Sequence, residues 1–126
     1  MSLIEKGLGR RIIIDLMKNS EKIIIKTPFI DDYGIKLLIK LKNCGKEISL
    51  VTRKDNPYID KLSELGINLQ TTSYFHTKLY YFENKTDKIF IHGSINLTYQ
   101  GFNENEENLV IVWDPSEVSR IKKELG

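Results

Sequence analysis

Cysteine is nearly missing from this chain: Cys44 is the only one in 126 residues. A lone cysteine excludes a disulfide within the chain and any zinc site built from several thiolates. Lying just before Gly45 at the end of a helical pattern, it reads as a packing residue. Proline is scarce as well, and Pro28, Pro57 and Pro115 each fall where an element stops or starts. No stretch approaches the roughly 20 apolar residues that span a bilayer, so no membrane partner is expected. Glu5, Lys6, Arg10 and Arg11 interrupt any apolar segment near the start. A signal peptide is therefore not expected, and the reading puts the chain in the reducing cytoplasm. A large excess of one charge is also lacking. With 19 basic and 17 acidic residues the net charge is +2, which mildly favours a polyanionic partner. Dedicated nucleic-acid binders are usually more basic.

What is present suits one soluble domain spanning residues 1–126. Hydrophobic residues make up 40% and charged residues 29%, ordinary values for a globular protein. A chain of this length buries roughly two-thirds of its unfolded surface, enough for one core without disulfides or metals.

Apolar positions Leu3, Ile4, Leu8, Ile12 and Leu16 approach helical spacing over residues 3–18, with Gly7 and Gly9 weakening the start. Ile23-Ile24-Ile25 is a β-branched run that suits a strand covered on both faces, stopped by Pro28. Asp31 or Asp32 caps a helix carrying Ile35, Leu38 and Ile39, closed by Gly45. A strand over residues 47–52, a short helix from Asp55-Asn56-Pro57 to Gly66, and a strand over residues 67–72 follow. This αβαβαβ order predicts parallel strands joined by right-handed crossovers. The texture then changes. Residues 78–83 and 88–92 read as a hairpin around the polar loop Asn84-Lys85-Thr86-Asp87. A last strand over residues 108–113 precedes a helix begun by Pro115, with Val118, Ile121 and Leu125 on one side. The expected fold class is α/β, a mixed β-sheet flanked by helices.

The chemistry concentrates between His76 and Glu107. His76 and Lys78 are two apart on an extended segment and so share a face. Neutral histidine can attack phosphorus, and its protonated form can donate to a leaving oxygen. Lysine beside it neutralises a phosphate oxygen as charge develops there. Gly93-Ser94-Ile95-Asn96 leaves an apolar strand as a turn, with a hydroxyl and an amide able to bond phosphate oxygens. Taken singly, both fragments are common surface features. In order along one chain they are the inventory for attacking a phosphodiester without a metal. His92 reads as a strand residue rather than a second catalyst. Glu104, Glu106 and Glu107 could be a solvated acidic loop; period-2 parity with Leu109, Ile111 and Trp113 favours Glu107 over Glu106 as inward-facing.

The pattern HxK…GSxN, read from His76 to Asn96, closely resembles the phospholipase D superfamily, and within it the small nucleases with one motif per chain. Lys26-Thr27-Pro28-Phe29 is similar to a strand-end segment of that family's half-domains, and residues 105–113 look like the closing strand of its small bacterial endonuclease. The likeness covers nearly the whole chain. It implies a phospholipase D-like half-domain, a phosphohistidine intermediate on His76, and phosphate held by Lys78 and Asn96. Ser94 would be a further phosphate contact, and Glu107 would orient the nucleophile. No cofactor and no metal site are implied. Two departures stand out: Glu83 occupies the place of the motif's aspartate, and the loop from Lys85 to Lys88 is longer.

One histidine attacks and another must protonate the leaving group from the opposite side, yet the chain has a single HxK. A two-fold homodimer that brings the two His76 side chains together supplies both. Its interface is expected around His76, Ser94 and Asn96, with Tyr74, Phe75 or Phe102 nearby. The leading expectation is a metal-independent phosphodiesterase, a nuclease acting on DNA or RNA. Lys36, Lys40, Arg53 and Lys54 add cations, though each is individually more typical of a solvated face. A lipid phosphodiesterase usually has two motifs and membrane-facing segments. The remaining alternatives are a non-catalytic nucleic-acid-binding or dimerisation module, or the catalytic fragment of a larger phospholipase D-like protein.

Overall fold

The computed structural model describes residues 2–4, 8–104 and 107–125, with side chains described for 9–103 and 109–123. In chain order the elements are β1 (Ser2–Ile4), α1 (Leu8–Asn19), β2 (Lys22–Lys26), α2 (Asp32–Asn43), β3 (Glu47–Arg53), α3 (Ile59–Ser63) and β4 (Asn68–Thr72). Then come β5 (Leu79–Glu83), β6 (Lys88–Gly93), a π-helical turn (Gln100–Glu104), β7 (Glu107–Val112) and α4 (Pro115–Leu125). The strands form one mixed seven-stranded sheet in the order β1-β7-β6-β5-β2-β3-β4. β2, β3 and β4 run parallel, and every other pairing is antiparallel.

Alternation along the strands sorts the core into two layers. Ile23, Ile25, Ile48, Leu50, Tyr80, Phe82, Ile91 and Leu109 pack with Ile13, Met17, Ile35, Leu38, Leu41 and Leu62, so α1, α2 and α3 cover one face. Leu79, Tyr81 and Phe90 pack with Val118 of α4, flanked by Ile24, Val112 and Ile121, on the other. The central strands β2 and β5 are therefore covered on both sides, as the unbroken isoleucine run predicts. Asp31 is the cap of α2, its side chain accepting from Gly34 N at 3.1 Å. Gly45 and Gly66 follow their helices at φ 82° and 75°, the left-handed region that ends a helix at little cost to glycine. The hairpin loop closes as expected, with Asn84 Oδ1 accepting from the Thr86 and Asp87 amides.

Four expectations are corrected. Leu3 and Ile4 are not helical: they form a short strand paired with β7, and the helix begins only at Leu8, past Gly7. The buried stripe of α1 is Ile13 and Met17, with Ile12, Ile14 and Leu16 on its flanks. Three consecutive isoleucines leave the helix's rotation to packing. Cys44 is exposed rather than packed, because it is the residue that ends α2. Trp113 is 68% exposed, since β7 stops at Val112 before parity can carry it inward. Among the described residues, no helix is long and apolar enough to cross a membrane.

Candidate active site

Register places the chemistry-bearing segments on a single edge of the sheet. The parallel strands β2, β3 and β4 end there, at Lys26, Arg53 and Thr72. Lys26 pairs with Leu79, the start of β5, and Leu79 pairs with His92 near the end of β6. Gly93 pairs with Leu109, and Glu107 pairs with Ile4 at the end of β1. The carboxyl ends of parallel strands are where open α/β sheets bind ligands.

His76 and Lys78 lie in the stretch that runs from β4 into β5, just outside the ladder, which starts at Leu79 rather than Lys78. Pairing continues one residue further through Gly93 N–H, which donates to Lys78 O at 3.4 Å. That bond joins the two halves of the motif. His76 is exposed, and its Nε2 is hydrogen-bonded to the Tyr74 hydroxyl, the two rings meeting edge to face at 4.7 Å. Lys78 is half-buried, with Nζ donating to His76 O at 3.2 Å. The chain thus folds back on itself so that the ammonium stays beside the histidine.

The turn after β6 is pinned from below. The hydroxyl of Tyr80, buried on β5, donates to Ile95 O at 2.9 Å. Ile95 and Leu97 are themselves buried, and Ile30 bridges to Leu97 in parallel fashion. Asn96, between them, is half-buried. Its Oδ1 lies 3.3 Å from Thr27 Oγ1, which also reaches Phe29 O at 2.9 Å and accepts from Leu97 N at 3.3 Å. The Asn96 amide thus turns its Oδ1 toward Thr27. Behind Thr27 a buried polar chain continues: Thr52 Oγ1 donates to Thr27 O at 2.8 Å, and Asn56 Nδ2 to Thr52 Oγ1 at 3.3 Å. Of the four buried polar residues described, three belong to this chain, so it is the polar scaffold of the site. Asp31 ties in the far side, accepting from Tyr99 N at 3.0 Å while it caps α2.

Ser94 is exposed at the same turn. Glu107 opens β7, and its side chain, like all of Glu106, lies outside the described residues. His92 is a half-buried ladder residue, as expected. Glu83 lies at the opposite end of β5 from Lys78. It accepts from the Tyr81 hydroxyl and pairs with Lys122 at 3.3 Å, so it holds α4 to the sheet. Tyr81's bond holds the Glu83 carboxyl below its ordinary range, with help from Lys122, while burial pushes the Tyr81 phenol up. Phe102 is 1% exposed inside the core and is unavailable to any interface, a further correction. Lys36 and Lys40 border a hollow between α1 and α2 instead of this edge. A hollow of about 630 Å³ between the Asn84–Lys88 loop and α4 is also remote from this edge. Among the described residues no three His, Cys, Asp or Glu side chains gather as a metal site.

The sequence reading names Thr27 only within a strand-end resemblance, without a role, and misses Tyr80 and the histidine contact of Tyr74. For Thr27 a signal existed, a hydroxyl directly after the Lys-flanked isoleucine strand, whereas the partner of Tyr80 lies 15 residues away and has no local trace.

A family model described as "Cardiolipin synthase, PLD-like domain" matches residues 12–126. Nuc from Salmonella typhimurium, a phospholipase D family member, superposes with TM-score 0.74 at 22% identity, over 94% of this chain and 84% of that one. NucT from Helicobacter pylori gives TM-score 0.69 at 17% identity, over 97% and 90%. Polyphosphate kinase from Porphyromonas gingivalis gives 0.70 at 16% identity, over 97% of this chain but only 21% of its own length. No curated protein matches in sequence.

Proposed function

The chain belongs to the phospholipase D-like family, and on that premise we propose that it is a homodimeric, metal-independent phosphodiesterase that cuts nucleic acid. The observation that carries this reading is the bond from Gly93 N–H to Lys78 O, which brings the HxK and GSxN halves of the motif together on one rim. The names of the structural neighbours Nuc and NucT support a nuclease.

In the proposed mechanism Lys78, Asn96 and Ser94 hold the non-bridging oxygens of the scissile phosphate. A neutral ring nitrogen of His76 attacks phosphorus, forming a P–N bond as the P–O bond to the leaving oxygen breaks. Protonated His76 of the partner subunit gives its proton to that oxygen, from the side opposite the attack. Water, deprotonated by the same imidazole, then attacks the phosphohistidine; the P–N bond breaks, and both histidines return to their starting states. Glu107 orients the attacking ring. The side chains supply nucleophile, acid and counter-charge, so no metal is called for.

Cleavage of single- and double-stranded DNA and RNA, with and without EDTA, tests the reading. Activity that survives EDTA and disappears in His76→Ala is the expected result. A strict need for added Mg²⁺ or Mn²⁺, or full activity in His76→Ala, overturns it. The nucleophile has no substitute, so its loss exceeds the roughly 10²–10⁴-fold of a general acid alone.

A further inference from the structure

Three of the five large hydrophobic side chains exposed among the described residues, Phe29, Tyr74 and Tyr99, follow the strand ends and turns of the catalytic rim. Two of them are locked together. The Arg53 guanidinium lies 4.4 Å from the Tyr74 ring centre and 5.5 Å from that of Phe29. Bidentate bonds to Asp55, at 2.9 and 2.5 Å, fix the guanidinium plane. The Arg53 side chain is only 14% exposed, whereas Phe29 is 48% and Tyr74 65% exposed. Arg53 is thus a filling between two rings that still offer surface to solvent. At one end of the array Tyr74 touches His76; at the other a small hollow of about 190 Å³ opens between Phe29 and Pro57.

From this array we infer a nucleobase subsite: Phe29, Arg53 and Tyr74 form a stacking platform for an unpaired base next to the phosphate held at His76. The inference rests on the nucleic-acid reading above and names the strand state that the site takes. Aromatic and guanidinium planes stack on any base face. In a duplex those faces are covered by neighbouring base pairs, so the platform is useful only to a single strand or a splayed end. Cations near the array in sequence suit a polyanionic strand. Lys54 follows Arg53 in the chain, Lys26 lies 5.0 Å over the ring of Phe75, the residue after Tyr74, and Asp55 pairs with Arg53 inside the array. Because the array is already rigid, little side-chain entropy is lost when a base lands on it.

The test is stopped-flow fluorescence with single-stranded DNA and RNA oligonucleotides carrying one 2-aminopurine, the same probes in duplex form, and strands with an abasic site at that position. The protein is compared with Phe29→Leu, which removes a ring and keeps the Thr27 bond to the backbone oxygen of residue 29. Expected is a quenching phase before cleavage on single strands only, and single-strand affinity weakened roughly 5–100-fold in Phe29→Leu. The gap between base-bearing and abasic strands should shrink correspondingly. Undiminished quenching and affinity in Phe29→Leu, or equal wild-type binding of duplex and abasic strands, overturns the platform while leaving the nuclease reading standing. A change in dimer dissociation without a change in quenching assigns the patch to a second copy and also overturns it. No binding of any probe overturns both readings together.

Discussion

Thr27 and Asn96, 69 residues apart in sequence, share one hydrogen-bonding centre: the Thr27 hydroxyl lies 3.3 Å from Asn96 Oδ1 and accepts from the next amide, Leu97 N. Thr27→Val keeps the shape and removes both interactions together with the hydroxyl's bond to Phe29 O. A buried amide left without its partner costs about 1–3 kcal/mol, read as a lower urea midpoint. The rate should fall further than stability explains, by on the order of 10²-fold, because the amide proposed to hold the phosphate is free to turn. Full activity in a folded Thr27→Val would remove Thr27 from any positioning role.

Gly101 supports the same asparagine from beneath. A Cβ built there would lie 2.4 Å from Asn96 O and 3.1 Å from Asn96 N, contacts that backbone can relieve only by moving. Gly101→Ala is expected to lose about 1–3 kcal/mol in thermal denaturation, with kcat depressed more than KM. Unaltered kcat would show that the turn tolerates displacement.

A dimer in which each phosphate needs two His76 side chains has a numerical signature. When wild-type and His76→Ala subunits are unfolded together, mixed and refolded, heterodimers retain one histidine of the pair. Activity should then follow the square of the wild-type fraction, since a missing acid costs roughly 10²–10⁴-fold. A linear dependence would show that each subunit works alone.

Glu83 sets a pH limit on stability. Its folded pKa is lowered by the Tyr81 hydroxyl and by Lys122. The stabilisation is therefore present above the ordinary value of 4.5 and is lost as pH falls below it toward the folded value. Glu83→Gln should cost about 1 kcal/mol at neutral pH, and that difference should vanish in urea titrations in strong acid. A difference that is constant with pH would show that the carboxylate charge contributes nothing.

Local patterns made most of this legible. The isoleucine run, the polar hairpin loop, the Asp31 cap and the two halves of the motif all announce themselves within a few residues. What escaped depends on partners distant in the chain. Three residues at Ser2–Ile4 have no strand signal of their own and are extended because β7 is there to pair with. Phe102 looks like a loop aromatic until the π-helical turn folds it under Tyr33 and Tyr80. Thr27 is a strand end by sequence and a site residue only through Asn96. The motif could be read because chemistry demands residue types at short spacing; its supports could not, because packing accepts many solutions.

The pairing of β1 with β7 gives the earliest and latest strands of the sheet adjoining positions. On a ribosome, Ser2 emerges about a hundred residues ahead of its partner Leu109. Until β7 arrives, a nascent chain already bearing His76, Lys78 and Asn96 has an unfinished sheet beside Gly93 and no Glu107. On the proposed reading Glu107 is the last site residue to be made, so the site cannot be complete before β7 is.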